Sequence, residues 1–335
     1  MNVSFDSRLL VGLASGLVSG IILASAGGGT LTALIVLFFI SPLPVAITGL
    51  GWGWMSALVA SLSAAAVVGI AIAPKTAIFH LVAIGLPMTA LCYLALLHRD
   101  RPPPPMAPTS ATPTAEWYPI GRVLGAAALM AGTLAAFSLL SVATSTAGLE
   151  AEIRKILDQA LASQLALPKT TKPLTSQDID KIAQLMTINF GAASATTWLI
   201  FASLNLWLGG HVCRMSGRLT RPWPDLSTII APRELSFVFI VAVGLSFLPD
   251  YPGLIASGFA AAIMMVYVMV GLAVLHNITR DNTYRPIMLF ASYAVLVLLQ
   301  PISAFMLAVL ALAERFLPFR RKGPFDAEYP PPPPT

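Results

Sequence analysis

Long apolar runs separated by short polar breaks dominate the chain. Residues 9–74 contain no Asp, Glu, Lys, Arg or His. A membrane helix needs about 20 apolar residues, so this stretch alone has room for about three spans. Apolar runs bounded by proline, glycine and charged residues predict spans near 8–26, 30–49, 52–73, 76–97, 119–145, 186–209, 234–248 and 253–275.

The two ends of this pattern each leave an alternative open. Residues 9–23, followed by Ala24-Ser25-Ala26, resemble a cleavable signal peptide. Further apolar runs follow directly, which favours a first span that is retained. The final run, 286–313, is interrupted by Gln300-Pro301 and forms either one kinked span or a hairpin of two short helices.

The segment 149–185 is amphipathic rather than uniformly apolar. Leu149, Ile153 and Leu157 recur at helical spacing, with charged residues between them. Thr175, with Asp178 in the first turn, predicts the start of a helix that continues into the span at 186–209. This insertion is either a pair of solvated helix extensions or a lid over the outer mouth of the bundle.

Composition excludes a soluble protein, because 56% of the residues are hydrophobic and only 10% are charged. Soluble domains carry about 25% charged residues. The net charge of +5 is scattered over short loops, so it does not indicate nucleic-acid binding. Cys92 and Cys213 have neither metal-ligand spacing nor a disulfide pattern. Because nucleotide-binding and metalloprotease motifs are also missing from the sequence, we expect no enzymatic activity and no cofactor.

The distribution of arginines predicts the orientation. The loops 98–118 and 210–233 and the segment after residue 314 are rich in arginine, which places them in the cytoplasm. The segment 149–185 has five basic and five acidic residues and is predicted to lie outside. Both termini are cytoplasmic in this scheme only if 286–313 turns back at Gln300-Pro301. Five tryptophans fall near the predicted cytoplasmic ends, as in an aromatic belt: Trp52, Trp54, Trp117, Trp207 and Trp223.

The chain divides into two predicted membrane halves. A four-helix half, 1–97, is joined by a proline-rich cytoplasmic linker, 98–118, to a second half, 119–322, which carries the amphipathic insertion. A proline-rich tail, 323–335, ends the chain. Proline runs of this kind act as stiff spacers.

Polar groups near the predicted outer ends of the spans suggest a binding site. Lys75, His80, Asn189 and Asp250 either converge on an outward-facing pocket or are ordinary interface residues. Asn205, deeper in its span, is expected to form a hydrogen bond between helices.

Two further patterns in the first two spans allow a functional and a structural interpretation. Pro42 and Pro44 interrupt the second span. Such a break either lines a pocket, as in transport proteins, or forms a simple kink. Gly12, Gly16 and Gly20 form a stripe of small residues on the first span. The stripe either packs against a helix of the same chain or docks a separate membrane subunit.

Several motifs resemble those of a bacterial membrane family. Leu204–Leu208 is followed by Arg214, Gly217–Leu219 and Arg221–Leu226, and further matching stretches are 271–276 and 316–321. With these motifs the chain resembles the YybS-like family, a domain of unknown function. That family is similar in organisation to the substrate-binding subunits of energy-coupling-factor vitamin transporters and to the rod-shape protein MreD.

The resemblance implies a bundle in the bacterial inner membrane with an outward pocket. It also implies a first helix whose stripe, Gly12, Gly16 and Gly20, docks a coupling subunit that works with an ATPase.

These observations lead to one fold and two functional hypotheses. We expect an all-α polytopic transmembrane bundle of about 8–10 membrane helices, embedded in the lipid bilayer, with an amphipathic helical extramembrane insertion. The leading hypothesis is a non-enzymatic protein that binds a small solute or lipid as the recognition subunit of a transporter. The alternative is a structural protein of the cell envelope that organises other membrane proteins.

Overall fold

The computed structural model describes residues 5–25, 31–101, 114–164, 175–314 and 317. These residues form an α-helical bundle with a single two-stranded sheet in the described part, which confirms the predicted fold class. The helices are α1 (Phe5–Ser25), α2 (Leu31–Ile40), α3 (Leu43–Trp52), α4 (Trp54–Ala71), α5 (Pro74–His80), α6 (Leu86–Leu96), α7 (Ile120–Val142), α8 (Thr146–Gln164), α9 (Ser176–Met215), α10 (Arg233–Leu245), α11 (Asp250–Ile278), α12 (Arg285–Leu298) and α13 (Ile302–Ala313).

Seven of the predicted spans are helical and apolar over at least 18 residues in the described part of the chain. They are α1, α2 with α3, α4, α5 with α6, α7, α9 and α11. The predicted span 234–248 is different, because α10 has 13 residues. At 1.5 Å per residue α10 covers about 20 Å, which is less than the hydrocarbon thickness of about 30 Å.

The glycine stripe of α1 packs against α4, which runs parallel to α1. A Cβ atom at Gly12 would lie 2.8 Å from the Ser56 carbonyl oxygen, and one at Gly16 would lie 2.3 Å from that of Ala60. Gly20 meets Val67 in the same way. The close approach of the two backbones requires glycine at these positions, and dispersion between them holds the pair. The stripe is therefore covered by the same chain and is not available to a separate subunit, which corrects the docking interpretation.

The break between α2 and α3 is a kink, and the backbone carbonyls around it accept hydrogen bonds from serine hydroxyls. Pro42 has no N–H to donate to the Phe38 carbonyl, and the Ser41 hydroxyl donates to that carbonyl instead at 2.9 Å. On α1, Ser19 donates to the Ser41 carbonyl at 2.6 Å and Ser15 to the Pro44 carbonyl at 2.7 Å. These bonds also show that α1 and α3 are antiparallel.

A five-residue π-helix, Leu81–Gly85, joins α5 to α6 within one span. Its carbonyls bond to side chains of neighbouring helices. The Trp198 indole of α9 donates to the Ala83 carbonyl at 2.8 Å, and the Ser61 hydroxyl of α4 donates to the Gly85 carbonyl at 3.0 Å. The irregular backbone is thus tolerated because packed side chains satisfy it.

The core is continuous across the two predicted halves of the chain. Buried residues of α3, α6, α7, α9 and α11 form one hydrophobic cluster, in which α13 also takes part. A close approach across the two halves occurs at Gly209 of α9, where a Cβ atom would lie 3.0 Å from the Ala46 Cβ of α3. The two halves therefore pack as one unit in the described structure.

Helix α9 is 40 residues long, or about 60 Å. It begins with the predicted cap: the Thr175 hydroxyl accepts from the Asp178 N–H, and the Asp178 carboxylate accepts from the Thr175 N–H. Because 60 Å is about twice the hydrocarbon thickness, the first turns of α9 extend beyond the bundle. There they pack against α8 through Leu149, Ile153 and Ala183 and through an ion pair of Arg154 with Asp180.

The linker and the final run show two further features. Residues 98–101 (β1) and 114–117 (β2) pair as an antiparallel ribbon, with His98 opposite Trp117.

The run 286–313 is divided at residues 299–301 into α12 and α13, which confirms a break at Gln300-Pro301. Residues 102–113, 165–174 and 323–335, which include the predicted proline runs, lie outside the described residues.

Candidate functional site

A large cavity lies at one end of the bundle, which we call the basic end. The basic end comprises the strands β1 and β2, the loop 216–232 and the turn 279–284, together with the helix ends that meet them. At the far end, α1, α4 and α7 terminate and α5, α9 and α11 begin. The cavity has a volume of about 970 Å³, which is at the upper limit of ordinary ligand pockets.

The wall of the cavity is apolar and continues onto the lipid-facing surface of the bundle. Helix α7 contributes Val123, α9 contributes Leu204 and Trp207, and α11 contributes Met269 and Leu272. Leu204 and Trp207 are 43% and 41% exposed, although they line the cavity. The cavity is therefore a groove lined by α7, α9 and α11 that is open towards the side of the bundle, where Leu204 and Trp207 are exposed.

The floor of the cavity carries most of its charge. Arg221 and Asp225 come from the loop 216–232, while Arg280 and Arg285 follow α11. Next to them, His276 shares a 2.8 Å hydrogen bond with the Tyr293 hydroxyl of α12. Three arginines and one carboxylate thus face the same space.

One of these arginines is neutralised by an internal brace. Arg280 forms an ion pair with the Asp225 carboxylate and donates to the Ser227 hydroxyl at 2.9 Å. The other Asp225 oxygen accepts from the Ser227 N–H at 3.0 Å and from its hydroxyl at 2.7 Å. The Arg280 hydrogen bond holds the pKa of Asp225 below its usual value, and the same bond raises the pKa of Arg280. This brace ties the loop to the end of α11.

Arg221 is held without a carboxylate. Its guanidinium donates from Nη1 to the Ala95 carbonyl at 2.9 Å and lies 5.9 Å from the centre of the Trp117 ring. Burial lowers the pKa of Arg221. Among the described residues, neither Arg221 nor Arg285 has an ion-pair partner.

Other arginines at the basic end stack on tryptophans. Arg214 lies 5.2 Å from the centre of the Trp223 ring, and Arg218 lies 4.6 Å from that of Trp52. Such contacts contribute about 0.5–1 kcal/mol each at exposed sites. Three of the five tryptophans predicted as an aromatic belt, Trp52, Trp117 and Trp223, are therefore engaged in cation–π contacts at this end.

A second cavity of about 620 Å³ lies apart from the first and shares no lining residue with it. It is lined by α2, α5, α7 and α9, including Phe39, Phe79, Asn189 and Trp198. Its lining carries no charged side chain, and the Asn189 amide donates to the Leu185 carbonyl of its own helix at 2.8 Å. This cavity is an apolar crevice with few groups that would select a polar ligand.

The predicted outward pocket does not form, because its four residues do not line one cavity. Asn189 lines the second cavity, whereas Lys75 is exposed at the start of α5. His80 is fully buried, and neither ring nitrogen has a hydrogen-bond partner among the described residues. Asp250 is exposed at the start of α11 and accepts from the Thr146 hydroxyl at 2.9 Å.

The predicted helix break also lies away from both cavities, since neither Pro42 nor Pro44 lines them. The kink places Phe39 against α9, where the ring stacks on Phe201 at 3.7 Å. As predicted for Asn205, its amide connects two helices by donating to the carbonyls of Phe39 at 2.8 Å and Phe201 at 2.7 Å.

Sequence reasoning missed the arginines of the cavity floor. In the sequence, the loop of Arg221 indicates orientation and carries part of the family resemblance but predicts no binding site, and Arg280 and Arg285 follow α11. The Arg221-Pro222-Trp223-Pro224-Asp225 stretch offered a signal, because its two prolines and its tryptophan indicate a rigid loop rather than a solvated one.

In the described residues no group of three or more His, Cys, Asp or Glu side chains is arranged to hold a metal ion.

Comparison with known proteins gives a family and no relative of established function. A family model described as a predicted membrane protein (DUF2232) matches residues 17–313. No curated protein and no solved structure matches the chain, so the similarity to energy-coupling-factor subunits and MreD stays a prediction. The family match covers most of the chain and agrees with the YybS-like resemblance. The chain therefore belongs to the DUF2232 family of predicted membrane proteins and is a multi-pass membrane protein.

Proposed function

We propose that the protein binds a lipid-like amphiphile in the cavity at the basic end. One observation carries the proposal: the cavity joins an apolar groove, lined by α7, α9 and α11 and open to the side, to a floor with three arginines. A molecule with an apolar chain and an acidic head matches both parts. A purely apolar ligand would leave Arg221 and Arg285 without a counter-ion, and a small polar solute would leave the groove unfilled.

The physical balance favours recognition through the head of the ligand. Lipid tails are as apolar as the leucines of a membrane helix, so moving a tail from the bilayer into the groove gains little hydrophobic free energy. Selectivity must then come from the shape of the groove and from the polar floor. Charge-assisted hydrogen bonds in such a partly desolvated site are stronger than neutral ones.

We further propose that the protein takes part in transport. The carboxylate that lines the cavity, Asp225, is already engaged by Ser227 and Arg280, an arrangement that suits a recognition subunit, which presents its ligand to a separate energised partner. In this scheme the contact surface for that partner is not the glycine stripe of α1, because α4 covers the stripe.

Native mass spectrometry of the protein purified gently from its membrane tests the binding proposal. Leu204→Trp and Leu272→Trp place bulk in the two walls of the groove. Leu62→Trp and Leu140→Trp are matched controls, since both leucines are more than half exposed (51% and 56%) and line neither cavity. We expect the wild type and both controls to retain a lipid-like molecule, and each wall variant to retain about tenfold less.

Equal retention in the wall variants and the controls would contradict the proposal, as would a wild-type protein that carries no such molecule. If the purified protein carries no lipid-like molecule but retains cell-envelope proteins in stoichiometric amounts, the structural alternative is favoured instead.

A further inference from the structure

We propose that Arg221 and Arg285 bind the phosphate group of an anionic phospholipid drawn from the surrounding bilayer. The inference rests on the proposed amphiphile site and assigns the class of its ligand and the two residues that select it. The eight other described arginines at the basic end serve as the comparison: Arg8, Arg99, Arg101, Arg122, Arg214, Arg218, Arg233 and Arg280.

Four of these eight have an identified ion-pair or ring partner. Arg99 pairs with Glu116, and Arg280 pairs with Asp225. Arg214 and Arg218 stack on tryptophans. Arg221 and Arg285 differ because both line the cavity while neither has a carboxylate partner in the described part of the chain.

Arg221 is already oriented for a ligand. The Ala95 carbonyl accepts one N–H of its guanidinium, and the Trp117 ring lies 5.9 Å away. A guanidinium has five N–H donors, so several of them remain for an acceptor in the cavity. The planar fork matches two phosphate oxygens at once, and the guanidinium is desolvated more easily than an ammonium group. A half-buried cation without a counter-ion is costly, and a bound phosphate removes that cost.

Asp225 does not neutralise the pair. One of its oxygens accepts from the Ser227 N–H and hydroxyl, and the other accepts from Arg280. With Arg280 and Asp225 paired to each other, the charges of Arg221 and Arg285 remain uncompensated on the floor. The cavity therefore suits a negative charge, and a net negative head suits it better than a zwitterionic one.

The position of the groove selects the bilayer as the source of the ligand. The wall residues Leu204 and Trp207 are exposed on the side of the bundle and also line the cavity. An acyl chain can lie along this wall while its phosphate reaches the loop at the helix ends. Basic pockets between membrane helices at one face of the bilayer bind phospholipid heads in this way.

Competition between two lipids tests the assignment. The protein is reconstituted in mixtures of phosphatidylglycerol and phosphatidylcholine with identical acyl chains, and the retained lipid is identified by native mass spectrometry. We expect the wild type to enrich phosphatidylglycerol about tenfold over its bulk fraction, a preference that falls as salt is raised. Arg221→Gln and Arg285→Gln should each reduce the enrichment about threefold, and the double variant should abolish it.

Arg218→Gln is the matched control, because Arg218 lies in the same loop and stacks on a tryptophan but does not line the cavity. Arg221→Lys guards against loss of folding, since it keeps the charge and removes the planar fork, and it should retain part of the preference. Unchanged enrichment in the double variant would overturn the assignment while leaving the proposed function intact. Loss of all lipid in the wild type would overturn both.

Discussion

Asn205 and His80 are both buried polar side chains within the spans, and they differ in their partners. Asn205 is 3% exposed and donates to the carbonyls of Phe39 and Phe201. His80 is fully buried, and both of its ring nitrogens lack a hydrogen-bond partner among the described residues. A buried polar group without a partner costs about 1–3 kcal/mol, whereas a satisfied one stabilises the fold.

This contrast predicts opposite effects of one substitution at the two positions. His80→Leu should leave the thermal unfolding midpoint in detergent unchanged or raise it, because the leucine removes an unsatisfied group at similar volume. Asn205→Leu should destabilise by about 1–3 kcal/mol, because the Phe39 carbonyl at the kink loses its donor. A marked loss of stability in His80→Leu would contradict this account and would indicate an unseen partner for the imidazole.

The Asp225–Arg280 brace predicts a dependence on pH. Because the pKa of Asp225 is lowered in the folded protein, the carboxylate stabilises the fold above its unfolded pKa of about 3.9. This contribution is lost as the pH falls through the folded pKa. Both side chains are nearly half exposed (44% and 49%), so the effect is small.

We expect Asp225→Asn to lower the unfolding midpoint by no more than about 2 °C at pH 7. The difference from the wild type should begin to shrink below about pH 4 and should vanish as the pH falls through the lower pKa of the folded protein, where the wild-type carboxylate becomes protonated as well. Amide hydrogen exchange in the loop 216–232 should be faster in Asp225→Asn than in the wild type, because the loop is no longer paired with Arg280. A difference that grows on acidification would have the wrong sign for this mechanism.

Single residues also mark the limit of what the sequence predicts. The helical period places Asn205 on a helix interface, and its partner is a backbone carbonyl, which every neighbouring helix offers. The role of His80 depends instead on which side chains surround it. The role of Arg221 is equally hard to predict. The sequence gives its charge, but only the fold determines whether a carboxylate lies next to it.

The packing of α1 on α4 predicts how helices respond to one added methyl group. A Cβ atom at Gly16 would lie 2.3 Å from the Ala60 carbonyl oxygen and 2.6 Å from the Ser63 Cβ. Backbone atoms of a packed helix cannot give way cheaply, so Gly16→Ala should destabilise by about 1–3 kcal/mol. Gly244→Ala is the matched control on α10, since a Cβ atom there would meet nothing within 4 Å.

The control should change stability by less than about 0.5 kcal/mol, measured as the unfolding midpoint in detergent. Equal effects at both glycines would contradict close packing as the reason for the stripe. Gly16→Ala that remains stable but loses a co-purified membrane subunit would restore the docking interpretation.

At the scale of elements, apolar runs predicted the long helices and their order well. The predicted start of α9 at Thr175 is confirmed, because a capping box is a local interaction. The π-helix Leu81–Gly85 was not predicted, since the donors to its carbonyls, Trp198 and Ser61, are distant in sequence. The short α10 was predicted as a span because apolar residues continue past its end at Leu245.

At the scale of the whole molecule, charge is distributed unevenly between the two ends. Among the described residues every arginine except Arg154 lies at the basic end. The far end carries Glu150, Glu152, Asp158, Asp178, Asp180 and Asp250. Arginine-rich ends of membrane proteins stay in the cytoplasm. We therefore expect the cavity with Arg221 and Arg285 to face the cytoplasmic leaflet, in which anionic lipids are drawn to basic clusters.

This orientation can be tested with cysteines, because the native Cys92 and Cys213 are both buried (0% and 1% exposed) and should react little with a bulky reagent. Asp158→Cys lies at the far end on α8, and Asp100→Cys lies on β1 at the basic end. In intact cells a membrane-impermeant maleimide should label the first variant and reach the second only after permeabilisation. The reverse pattern would place the arginines outside the cell. The phospholipid assignment would then require an anionic lipid of the outer leaflet, and the charge asymmetry would need a cause other than insertion.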